Sequence, residues 1–290
     1  MKVLSFFDYF EKNLEEQLAF FSQAELPYFS LRKINGLSFS SWQEEDIPTI
    51  KQQLNKVNTY LFDPLLYPLT FDDEKYFENL KRVAAFIKKT KIKNLMLRIP
   101  AINDIDIERK ETQKHLLKLR LIFKKINLFL VPDNQEKPLI FTYIFKELKT
   151  RGFKALFSPV DIYQKNESIA MNYRLIRDEI GIFLVADINK EENPTLIGYG
   201  EIELIDQIKR LYQNSYQGIV LYDSNLDEVV KHFDLDYKKR RVLSAPSKAR
   251  SLYKDYLKQI GDEKTKYLSF EEIFLNQIEV LKIIFKNYLI

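Results

Sequence analysis

Eight short apolar runs recur along this chain, and most are followed by a stretch with helical periodicity. They are KVLSFF at 2–7, YFSLRKI at 28–34, TYLFDPL at 59–65, NLMLRIP at 94–100, NLFLVPD at 127–133, FKALFSP at 153–159, GIFLVADI at 181–188 and GIVLYDS at 218–224. Strands that alternate with helices over a whole chain imply parallel strands joined by crossover helices. The runs are rich in Leu, Ile, Val and Phe with little polar alternation, as suits strands covered on both faces. Between them, EKYFENLKRVAAFIKKT at 74–90 places Phe77, Leu80, Val83, Ala84 and Ile87 on one helical face. A doubly wound open sheet would show the same local pattern, so closure rests on the count. Eight units predict an α/β fold of the (β/α)8 type, a parallel eight-stranded barrel.

The chain has 290 residues, of which 46% are hydrophobic, enough for one substantial core. The barrel is expected over 1–246 and a helical extension over 247–290. No apolar run reaches membrane-spanning length, and the first residues soon turn acidic at Glu11, Glu15 and Glu16, so neither a membrane span nor a secretory signal is read and the expected compartment is cytoplasmic. With no cysteine there are no disulfides, thiolate metal sites or cysteine nucleophiles. The net charge of +4 comes from 45 basic and 41 acidic residues spread throughout, a weak argument for a polyanion partner. One basic cluster, Lys238-Lys239-Arg240-Arg241, could contact phosphates or could be a solvated loop.

The extension carries a helix-start signal, Ser269 followed by Glu272, which is a capping box. Phe270, Ile273, Phe274, Ile278, Leu281 and Phe285 then recur at helical spacing. Either this helix seals the barrel or it meets a second copy of the chain in a homodimer.

In a parallel barrel, ligands sit over the loops that follow the strands. That rule selects Arg32, Asp63, Arg98, Asp133, Asp161, Asp187 and Asp223. Together they could line a polar cup, the arginines holding a phosphate or carboxylate; singly, each aspartate could equally cap a helix. His115 and His232, the only histidines, fall in helical stretches and read as surface residues. Trp42 reads as packing against the barrel rim. With seven glycines there is no GxGxxG or GxxxxGK[ST] loop, and no GxSxG elbow or HExxH pair occurs.

Several runs resemble the sugar phosphate isomerase/epimerase family with the xylose-isomerase-like barrel. Val131-Pro132-Asp133-Asn134-Gln135 is similar to that family's V-E-N-D-Q, Phe157-Ser158-Pro159-Val160-Asp161 to F-D-I-G-N, and Phe183-Leu184-Val185-Ala186-Asp187 to V-H-x-K-D. Gly198-Tyr199-Gly200-Glu201 resembles the G-x-G turn that follows, and the run from Tyr216 to Asp223 resembles Y-x-G-x-x-x-x-E. Phe29-Ser30-Leu31-Arg32 is faintly similar to I-E-L-R. The likeness extends from near Met1 to Asp223.

What the resemblance implies is a sugar or sugar-phosphate isomerase or epimerase holding one divalent metal on Glu, Asp, His and Glu. Those positions correspond to Pro132, Ser158, Leu184 and Asp223. Proline and leucine have no donor atom and serine is a poor one. The family's basic residue on strand seven is Ala186. The expectation is therefore a chain without metal or cofactor, in which Asp133, Asp161 or Asp223 moves protons and Arg32, Asp63, Arg98 and Asp187 bind ligand. The alternative cofactor is a weak Mg or Mn site rebuilt on carboxylates. The alternative function is a non-catalytic barrel binding a carbohydrate-like ligand or a protein partner. The DNA-cutting members of this barrel family use histidine clusters, so a nucleic-acid partner is not expected.

Overall fold

A computed structural model describes residues 1–132, 137–148, 152–233, 246–260 and 268–286. Eight strands form one parallel sheet: β1 (Lys2–Ser5), β2 (Phe29–Leu31), β3 (Thr59–Phe62), β4 (Asn94–Arg98), β5 (Asn127–Val131), β6 (Phe153–Phe157), β7 (Ile180–Val185) and β8 (Ile219–Tyr222). Their order is β1-β8-β7-β6-β5-β4-β3-β2, with each neighbouring pair parallel. β1 and β2 come side by side to finish the ring, without a hydrogen-bonded ladder among the described residues. The barrel is thus nearly closed, with one seam.

Strand parity sorts the apolar residues into two layers. Leu4, Leu61, Met96, Phe129, Val131, Leu156, Ile182 and Leu221 point inward and fill the barrel. Val3, Phe29, Phe62, Leu97, Leu130, Phe157, Phe183 and Val220 point outward and meet the helices. This double burial explains the near-continuous apolar runs in the sequence. Gly181 is needed on β7, since a Cβ there would stand 2.5 Å from the Phe129 ring.

Helices cover the outer wall between successive strands. The longest, Glu74–Thr90 and Ile105–Ile122, start at Asp73 and Asp104, whose carboxylates accept backbone N–H groups at 2.9–3.3 Å. On the first of these the buried residues are Tyr76, Leu80, Val83, Phe86 and Ile87, with Phe77 and Ala84 at the edge of the face. The face is rotated from the expected one because Phe86 packs on Phe39, Trp42 and Phe62. Trp42 is therefore buried in the outer wall, its indole donating to Leu37 O at 3.0 Å. His115 is also buried rather than superficial: its ring lies against Tyr76 and Phe77, and Nδ1 is 2.9 Å from Phe71 O. No helix among the described residues is long and apolar enough to cross a membrane.

The helix Phe270–Phe285 starts with the expected box, Ser269 and Glu272 each satisfying a backbone N–H of the other. Its apolar face is covered by the chain's own barrel. Phe274 lies 4.9–5.5 Å, ring to ring, from Phe7, Tyr9, Phe20 and Tyr222, beside the seam between β1 and β2. Gln277 accepts Ile197 N–H at 2.7 Å and Lys12 pairs with Glu271 at 2.7 Å. The face proposed for a dimer is thus occupied, although Ile283 stays 71% exposed. The basic cluster Lys238–Arg241 and the four final residues lie outside the described residues.

Candidate functional site

The strands end in a cavity of about 510 Å³ at the C-terminal edge of the barrel. Its floor is apolar: Met96, Val131, Leu156, Leu184 and Leu221, all inward residues near strand ends. Its rim is charged. Parity continues past the strands, so Arg32, Asp63 and Asp223, each beyond an inward residue by an even step, turn into the cavity with Arg98.

Two ion-pair units build the rim. Arg32 donates Nε and Nη2 to the two oxygens of Asp8 at 2.9 and 2.8 Å, and Nη1 to Asp223 at 2.6 Å. Its guanidinium lies over the Phe6 ring at 4.2 Å. Because Asp8 follows β1, Arg32 follows β2 and Asp223 follows β8, this one side chain ties together the strands at the seam. The second unit is fork to fork: Arg98 donates to both oxygens of Asp63 at 2.6 and 2.9 Å, with both side chains almost wholly buried. Leu65 N–H also donates to Asp63 at 3.0 Å, Tyr76 donates to Arg98 O at 2.7 Å, and Tyr67 lies over the Arg98 guanidinium at 4.7 Å.

The electrostatics differ between the units. Burial would raise the Asp63 carboxyl, but Arg98 and the Leu65 N–H outweigh it and hold the group below its ordinary range. Asp223 moves the other way, because burial and the facing Asp8 carboxylate outweigh Arg32. Tyr9, which reaches Asp223 at 3.4 Å, is pushed up by burial and by that carboxylate. For Arg32 burial opposes the charge, yet Asp223 and Asp8 keep it firmly protonated. Asp227, in the short helix Leu226–Val230, rises to about 6 through burial and the nearby carboxylates Glu228 and Asp223.

That last shift has a consequence for stability. A carboxyl whose folded pKa exceeds its unfolded value binds its proton more tightly when folded, so stability falls as pH rises from about 4 to about 6 and stays lower above. Asp227→Asn is expected to raise stability at pH 8 by on the order of 1 kcal/mol, with no gain at pH 4. Denaturant midpoints of both proteins at the two pH values check this. An equal effect at both values would show that burial of the charge is not its origin.

Of the residues expected from sequence, Arg32, Asp63, Arg98, Asp161 and Asp223 line the cavity. Asp187 does not. β7 ends at Val185, and Asp187 opens a separate hairpin with Pro194–Thr195. Its buried carboxylate accepts the N–H groups of Ile188, Gly198 and Gly200 at 3.0, 3.0 and 3.1 Å, so it organises the turn rather than a ligand. Gly200 is required there, since a Cβ would stand 1.9 Å from that carboxylate. Asp133 lies outside the described residues. Asp8, Tyr9, Tyr67, Asp227 and Glu228 also line the cavity and were not anticipated. Asp8 had a readable signal, for it directly follows the first strand-like run.

A divalent metal fits the described donor set poorly. On β5 it is Val131 that lines the cavity; Pro132 has the outward parity, so the correspondence from the resemblance is displaced by one residue there. Leu184 does line the cavity, and Ser158 is buried, its hydroxyl accepting Asp161 N–H at 3.2 Å to cap the helix Pro159–Gln164. Asp8, Asp63 and Asp223 already hold guanidinium groups, and among the described residues no three His, Asp or Glu side chains are grouped to hold an ion.

The architecture has clear structural counterparts. Over the full length of both chains it matches the IOLI protein with a bound zinc atom, at TM-score 0.66 and 13% identity. It matches D-allulose 3-epimerase from Methylomonas sp. in complex with D-allulose at TM-score 0.64 and 13% identity, covering 99% of this chain and 97% of that one. D-psicose 3-epimerase from Clostridium cellulolyticum H10 with D-tagatose matches at TM-score 0.64 and 10% identity, covering 98% and 99%. The fold is that of the xylose-isomerase-like barrels. No family model matches this sequence, and no curated protein does.

Proposed function

We propose that this chain binds a small carbohydrate-like polyol in the cavity at the C-terminal edge of the barrel, through its aspartate and arginine rim and without a divalent metal. The observation that carries the reading is the cavity itself: an apolar floor that a sugar's C–H face can cover, beneath convergent carboxylates, tyrosines and guanidinium groups that can meet hydroxyls. Its size suits a monosaccharide. The structural counterparts solved with D-allulose and D-tagatose support the choice of ligand class.

A second reading, a sugar isomerase or epimerase with a remodelled site, is favoured by Asp227. A carboxyl brought to about 6 is suited to take and return a proton near neutral pH, with Asp223 and Asp161 on the same cavity. In the metal-dependent form of such chemistry the ion polarises a carbonyl. Here that work would fall to Tyr9 and Arg32.

Calorimetry with D-allulose and D-tagatose tests the binding, with chelator-treated protein and again with added Mn²⁺. Equal affinity under both conditions is expected, with no metal retained on elemental analysis. One tightly held metal ion per chain, or binding lost on chelation, would overturn the metal-free reading. Incorporation of deuterium from D2O into either ketose, abolished in Asp227→Asn, would carry the catalytic reading.

A further inference from the structure

We infer that a second ligand site lies at the opposite end of the barrel, at the N-terminal edge of the strands, and that it takes a small phosphate or phosphate ester. The inference is independent of the polyol reading of the upper cavity. A cavity of about 390 Å³ opens at the lower edge and shares no lining residue with the upper one. Leu4, Leu61 and Ile182, which line neither, pack inside the barrel between them.

Strand parity builds this lower cavity. The residue two places before an inward one is also inward, so β1, β4, β5 and β6 present Lys2, Asn94, Asn127 and Lys154 below Leu4, Met96, Phe129 and Leu156. Four polar side chains thus stand where the next layer up is apolar. The runs NLMLRIP and NLFLVPD each open on one of the asparagines. Both amides are held in place: Asn94 donates to Tyr60 O at 2.8 Å and Asn127 to Asn94 Oδ1 at 2.9 Å. Each amide nitrogen keeps a second hydrogen to offer.

The charges decide the ligand class. Lys154 donates to Asp178 O and pairs with Glu179, and Arg177 pairs with Asp178. Lys2 meets no carboxylate among the described residues. Its half-buried side chain carries the ammonium over the rings of Tyr28 and Tyr60, 5.9 and 5.3 Å from their centroids. An aromatic face attracts a cation without neutralising it, so the surplus positive charge of the cavity rests on Lys2. A tetrahedral oxyanion supplies the missing countercharge, and its several oxygens can accept at once from ammonium and amide hydrogens on different strands. A neutral sugar lacks that charge. At the upper rim, by contrast, Arg32 and Arg98 already hold carboxylates, which is why the anion expected there from the sequence is better met below.

The test titrates inorganic phosphate and glycerol 3-phosphate into the whole protein near neutral pH at constant ionic strength, with acetate as the control anion. Calorimetry gives the affinities, and NMR of side-chain amides reports on Asn94 and Asn127. Both amides should shift, and phosphate should bind at least about tenfold more tightly than acetate. Tighter binding of glycerol 3-phosphate than of inorganic phosphate would identify an ester as the ligand, and the reverse order the free ion. Lys2→Gln should weaken phosphate binding at least about tenfold. Lys118→Gln, which removes the same charge from an exposed pair with Asp72, should leave it within about twofold. The wild-type amide shifts decide the matter even if Lys2→Gln is unstable. Phosphate that leaves both asparagine amides unmoved, binds no better than acetate, or binds the two variants equally would overturn the inference, whatever the sugars do in the upper cavity.

Discussion

Replacing Arg98 by alanine is expected to lower stability by about 3–5 kcal/mol, the largest effect of any single change at the rim. Arg98 and Asp63 are each about 3% exposed or less, and their two parallel hydrogen bonds compensate charges that have left water. Removal of the guanidinium leaves a carboxylate with only the Leu65 N–H still donating to it among the contacts described above. It also removes the group that lies beneath Tyr67. The wild-type contribution has a definite pH sign. Asp63 titrates below its ordinary value when folded, so the stabilisation is present above about 4 and is lost as pH falls through the lowered value. The double variant Asp63→Leu, Arg98→Met should be far closer to wild type than either single change, because it deletes both charges together. Urea midpoints for the three variants decide the matter, and a loss below about 1 kcal/mol in Arg98→Ala would show that the pair is not what steadies the β3 and β4 ends.

Loss of the last helix is expected to be still more damaging to the barrel. A cut at residue 268 removes Phe270, Ile273, Phe274, Ile278, Leu281 and Phe285, all essentially inaccessible to solvent. Each such side chain contributes roughly 1.5–3 kcal/mol, so the sum matches the whole stability of an ordinary domain, about 5–15 kcal/mol. The truncated chain should aggregate or unfold, because Phe7, Phe20 and Tyr222 would face water at the seam. Phe274→Ala offers a milder form of the same test, with an expected loss of about 3–5 kcal/mol. A truncated protein that stays soluble with an unchanged melting temperature would show that the seam closes without the helix.

The strand runs and their even spacing were readable because each barrel strand is buried on both faces and leaves an apolar signature that needs no partner to be seen. NLMLRIP became β4 and GIVLYDS became β8 with boundaries shifted by only a few residues. The Ser269–Glu272 box was equally legible, since a cap is formed within four residues of chain. Asp187 misled for a local reason: GIFLVADI reads as one strand, whereas Ala186 interrupts it and the last two residues pair with Pro194–Thr195. His115 misled because a helical position does not show which way it faces, and here the face is set by packing on Tyr76 and Phe77.

Charge at the rim was legible in number but not in use. Arg32, Asp63, Arg98 and Asp223 could be placed at strand ends by counting, and they line one cavity. Which acid each arginine would meet depends on residues 24 to 191 positions away, brought within 3 Å only by closure of the barrel. The residue pattern by itself determined eight parallel strands, their covering helices, and a polar edge above an apolar core, since each follows from local periodicity and short-range geometry. Only the tertiary structure decided that the last helix seals the seam, that Asp187 belongs to a turn, and that the arginines are held by carboxylates, because those outcomes depend on which distant side chains the closed ring sets face to face.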